Sequence, residues 1–67
     1  MVNSLVMEHF NRAVILQKKG EYKTAIECYN QILLIDPNDI NALFNKGSSL
    51  SNLGENRAAI ECYDKAI

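Results

Sequence analysis

Gly20-Glu21 recurs as Gly54-Glu55, and Ala25-Ile26-Glu27-Cys28-Tyr29 recurs as Ala59-Ile60-Glu61-Cys62-Tyr63, both at an offset of 34 residues. A chain that copies itself at a fixed spacing is built of like units that complete one another's apolar faces. The same offset aligns Phe10 with Phe44, Asn11 with Asn45 and Leu16 with Leu50. It also pairs residues of similar kind at Val6/Ile40, Arg12/Lys46, Ala13/Gly47 and Leu33/Ile67, so the register holds from residues 6–33 onto 40–67.

Each unit reads as a pair of helices. In residues 6–19, Val6, Phe10, Ala13, Val14 and Leu16 follow helical spacing, and Lys18-Lys19 stand where a helix dipole favours cations. Gly20 then supplies a left-handed stop. From Tyr22 onward, Ala25, Ile26, Tyr29, Ile32 and Leu33 keep the i, i+3, i+4, i+7 rhythm as far as Asp36-Pro37. There the proline disfavours helical backbone in the residue before it. Asn38-Asp39 makes the turn, with Asp39 placed to cap the next helix. In the second unit Ile40, Leu43, Phe44, Gly47, Leu50 and Leu53 precede Gly54, and Ala59, Ile60, Tyr63, Ala66 and Ile67 follow it. Connections this short make each helix antiparallel to its neighbour. The spacing predicts an all-α single domain over 1–67, with repeat 1 at 6–39 and repeat 2 at 40–67. Repeat 2 reads as incomplete, because its own Asp-Pro turn is not reached.

With 67 residues the core of such a domain supplies only ~3–5 kcal/mol net, so stacking of the units has to supplement it. A content of 48% hydrophobic and 22% charged residues is too apolar for disorder, and the sequence is too punctuated for a membrane span. The formal net charge of −1 offers no basic cluster for a nucleic-acid backbone or an anionic bilayer, so neither is an expected partner. Met1–Met7 lacks a basic leader and an apolar run, and Cys28 and Cys62 alone cannot staple a secreted mini-protein. A cytoplasmic location is the resulting expectation.

No catalytic, cofactor or metal site is expected. One His and two Cys fall short of the about four ligands that zinc takes. Gly20, Gly47 and Gly54 are too dispersed for a phosphate loop, and His9 has no paired nucleophile or acid. Cys28 and Cys62 lie one repeat apart, beyond the ~7 Å that a disulfide tolerates, and read as small buried hydrophobes.

Two sets of residues carry the remaining signal. Ala13 and Gly47, and Ala25 and Ala59, stand where helices must approach closely beside Tyr29 and Tyr63. Asn11 and Asn45 align on one face of the first helix of each unit. An amide carries both donor and acceptor, which suits it to peptide backbone whatever the side chains; its other use is a bond to its own helix. Met7, Phe10, Val14 and Gln17 surround Asn11, and Asn41, Phe44, Ser48 and Asn52 surround Asn45, giving a mixed polar and apolar face.

Gly20-Glu21-Tyr22, Ala25–Tyr29 and Ile35-Asp36-Pro37-Asn38-Asp39, with Ala42–Gly47, Leu53-Gly54-Glu55 and Ala59–Tyr63, resemble the tetratricopeptide repeat family. The likeness covers residues 6–67. It implies two helix–turn–helix repeats stacked as a short right-handed α-solenoid, and a non-catalytic module whose concave face binds a peptide or partner protein. The face would be Met7, Phe10, Asn11, Val14, Gln17, Asn41, Phe44, Asn45, Ser48 and Asn52. Asparagines at the places of Asn11 and Asn45 resemble the ladder with which some members hold peptide backbone. Departures stand at His9 and Leu43, in place of a large aromatic, at Arg12 and Lys46, in place of leucine, and at Asn56, in place of the aromatic that Tyr22 represents. A carboxylate clamp is not implied, because Phe10 and Val14 occupy the positions of its first lysine and asparagine.

The alternative to partner binding is self-assembly. About three repeats are normally needed to bury one another. A final helix presenting Ile60, Tyr63 and Ile67 could then pair with a second chain, including by exchange of helices, to give a homo-oligomer.

Overall fold

Four α-helices account for nearly all of the described residues, 2–67, of the computed structural model: α1 (Val2–Lys18), α2 (Tyr22–Ile35), α3 (Ile40–Asn52) and α4 (Asn56–Ala66). The helical start at Val2 precedes the apolar pattern that begins at Val6, since no Gly or Pro interrupts Val2–Leu5.

The copied sequence gives copied turns. Gly20 and Gly54 both take φ 83°, a left-handed backbone that any side chain would strain. Gly20 N–H donates to the Gln17 carbonyl (3.0 Å) and Glu21 N–H to that of Leu16 (2.9 Å). Gly54 N–H donates to Ser51 and Glu55 N–H to Leu50, both at 2.9 Å, so each helix end closes its last carbonyls in the same Schellman pattern. The turn between α2 and α3 uses other chemistry. Asp36 is extended (φ −136°, ψ 94°), as the following Pro37 requires, and its Oδ1 accepts from Asn38 N–H at 3.2 Å. Asp39 caps α3 by accepting from Ala42 N–H at 2.9 Å.

Helix α1 packs on α2, α2 on α3 and α3 on α4, and the Cα envelope is only 14 Å across its thinnest dimension. This is the stacked helical repeat that the spacing implied. The core interleaves the two units. One cluster joins Ala13, Ala25, Cys28, Tyr29 and Ile32 to Ala42 of the second unit, with Phe10 and Leu16 against it. The other joins Leu50, Ala59 and Cys62, with Ile26 of the first unit against it. Neither unit therefore closes its own core. Both cysteines are free and buried, in different clusters.

Small residues set the approach distances. Ala13, Ala25 and Ala42 are fully buried, and a Cβ at Gly47 would lie 2.8 Å from Tyr63 Cε1. Ser49 is also fully buried, and its Oγ has no hydrogen-bond partner among the described residues.

Candidate functional site

The period puts Phe10 and Phe44 at matching places on α1 and α3, and each ring packs on the tyrosine of its own unit. Phe10 meets Tyr29 edge-on with centroids 6.0 Å apart, and Phe44 meets Tyr63 at 5.3 Å. Phe44 nonetheless keeps 58% of its surface in solvent, and Met7 keeps 62%. Exposed apolar rings and thioethers on one side of a helix pair are candidates for contact with a partner.

Between the first helices lies a recess of about 340 Å³ lined by Val14, Gln17, Asn45 and Asn52, together with Lys18 and Tyr22. Four of the ten sequence-derived residues thus come together. Ser48 joins them by accepting from Gln17 Nε2 at 3.4 Å. Met7, Asn11, Asn41 and Phe44 are exposed and do not line the recess, while Phe10 is half-buried against Tyr29. Tyr22 was absent from the sequence-derived set, and the signal for it was its replacement by Asn56 in the second unit.

Hydrogen bonding divides the polar residues into two kinds. Gln17 is occupied at both ends, because its Oε1 also accepts from the Tyr29 hydroxyl at 2.6 Å. It fastens α1 to both α2 and α3. Burial, with the neighbouring Cys28 adding to it, pushes the Tyr29 hydroxyl up to about 12, so it stays a donor to Gln17 across the physiological range. Asn45 Nδ2 instead donates to the Asn41 carbonyl (2.7 Å) and Asn52 Nδ2 to the Ser48 carbonyl (2.9 Å). Their amide oxygens are thereby left as acceptors. Asn11 makes no hydrogen bond to described residues, so the two asparagines related by the period do not behave alike.

Among the described residues no group of three or more His, Cys, Asp and Glu is placed to hold a metal ion. No helix among them is long and apolar enough to cross a membrane.

A tetratricopeptide repeat model matches residues 6–39, and a second tetratricopeptide repeat model matches residues 28–61, across the turn between the units. No curated protein matches the chain.

Proposed function

The chain belongs to the tetratricopeptide repeat family, whose repeats mediate protein–protein interaction and are typically non-catalytic, and from that premise we propose that the face built by α1 and α3 binds a peptide or a segment of a partner protein. The observation that carries this reading is the recess between Val14, Gln17, Asn45 and Asn52, where two amide oxygens remain available as acceptors. Acceptors fixed by a bond to their own helix match the N–H groups of a peptide backbone, and they do so without regard to its side chains. Phe44 and Met7 add exposed apolar contact beside them. Gln17 and Ser48 hold the two helices in register and contribute shape more than bonds.

The test is Asn45→Ala and Asn11→Ala in the full-length protein, measured as affinity for a partner recovered by pull-down. One lost hydrogen bond is worth about 0.5–1.5 kcal/mol, so Asn45→Ala should weaken binding about three- to tenfold. Asn11→Ala, outside the recess, should do less. Affinity unchanged in both variants would remove the reading.

The second reading, self-association through Ile60, Tyr63 and Ile67, is favoured by one observation. Ile60 and Tyr63 are equivalent to Ile26 and Tyr29, which pack into the interface with the next unit, yet Ile60 is 57% exposed. The face is shaped to receive a helix like α3. Stacking a second copy in the same register would place Glu8 where Ala42 is fully buried, and burial of an unpaired carboxylate is costly. Light scattering over a concentration series separates the two readings, with a monomer throughout expected from the first.

A further inference from the structure

On the other side of α3 lies a larger depression of about 690 Å³, an open groove with α2 and α4 as walls and α3 as floor. Its aliphatic lining comes from Ile26, Leu33 and Leu34 of α2, Leu43 and Leu50 of α3, and Cys62 of α4. Leu34 is 77% exposed, more than any other leucine among the exposed large hydrophobics, and so stands on the rim as uncovered apolar surface. The charged lining is Lys46, Glu61 and Lys65. Two lysines against one glutamate leave this lining net positive. Of the two, Lys46 is half-buried on the floor and Lys65 is exposed, so Lys46 is the cation that a bound segment would shield from water.

We propose that this outer groove binds a peptide segment of a partner protein that presents two or three aliphatic side chains and one acidic side chain, the carboxylate meeting Lys46. Aliphatic walls reward apolar side chains in proportion to the area taken from water. A carboxylate beside a half-buried lysine gains more from the pairing than it would in bulk water. An uncharged apolar segment would satisfy the walls and leave Lys46 unpaired, and a basic one would be repelled. This surface is separate from the α1/α3 face, so the two proposals stand or fall independently.

The experiment pans a display library of dodecapeptides against the full chain, counter-selected on Leu34→Lys, and measures the Kd of the enriched peptides by fluorescence anisotropy. Enriched sequences should combine aliphatic residues with Asp or Glu. Lys46→Glu should weaken them about tenfold or more, and lysine in place of the peptide's acid should restore binding to that variant. Asn45→Ala should leave their Kd unchanged. Leu34 is exposed and Lys46 half-buried, and unaltered circular dichroism and melting will establish that both variants fold. No enriched peptide, or a Kd indifferent to Lys46→Glu, overturns the proposal. Dependence on Asn45 in place of Lys46 also overturns it and returns the peptide to the inner face. Concentration-dependent self-association abolished by Lys46→Glu overturns it in favour of a second copy as occupant.

Discussion

Gly47→Ala tests the packing from which both surfaces follow. The added Cβ would lie 2.8 Å from Tyr63 Cε1 and 3.1 Å from Cδ1 and Cζ. Carbon atoms at rest sit ~3.5–4.0 Å apart, so the ring has to withdraw by at least about 0.7 Å. The first unit offers a comparison. There the equivalent residue is Ala13, and the aromatic pair stands at 6.0 Å in place of 5.3 Å. Two effects compete. Alanine in a helix interior is worth about 1 kcal/mol over glycine, whereas overpacking costs ~1–3 kcal/mol. The half-buried Tyr63 can give way in part, so the net expectation in the wild-type background runs from neutral to about 2 kcal/mol of destabilisation. In a Tyr63→Ala background the clash is gone, and the same substitution should stabilise by about 1 kcal/mol. Urea unfolding of the four chains gives the coupling directly. A gain of about 1 kcal/mol in both backgrounds would refute the reasoning, because it would mean that Tyr63 does not rest on Gly47.

Three further outcomes are expected. Ser49→Ala should be neutral or stabilise by about 1 kcal/mol, since it deletes a buried hydroxyl that has no partner among the described residues; a clear loss of melting temperature would contradict this. Gly20→Ala and Gly54→Ala should each cost about 1–2 kcal/mol, because both positions hold φ 83° in open space and the penalty is purely backbone; unequal losses would show that the turns are not alike. Tyr29 should ionise close to pH 12 in a near-ultraviolet absorbance titration. Its folded pKa lies above the unfolded value near 10, so the stability it contributes is complete below pH 10 and is lost as pH rises towards 12. A Tyr29 that titrates near 10 in the folded chain would count against its burial.

The copied turns were legible because their chemistry is local. A glycine needing positive φ, a residue held extended before Pro37, and an aspartate capping α3 depend on a few neighbours in the chain, and Gly20, Gly54 and Asp39 follow that reading. The close approaches at Ala13, Gly47, Ala25 and Ala59 were legible for a related reason, since a period repeats the steric requirement along with the residues. The signal for the outer groove was weaker. Ile32-Leu33-Leu34-Ile35 is a longer apolar run than one helix face can bury, and the surplus residue is Leu34.

Self-similarity at 34 residues determined, without coordinates, that two helical hairpins exist and that they stack. Tertiary structure alone decided how like residues diverge. Asn45 enters a recess and bonds to its own helix while Asn11 stays in solvent; Ser49 is sealed where Ile15 is exposed; Lys46 borders a groove that Arg12 lacks. The physical reason is that α3 is flanked by both α2 and α4, whereas α1 packs chiefly on α2. Identical local instructions therefore meet different neighbours, and burial, bonding and available surface are set by those neighbours.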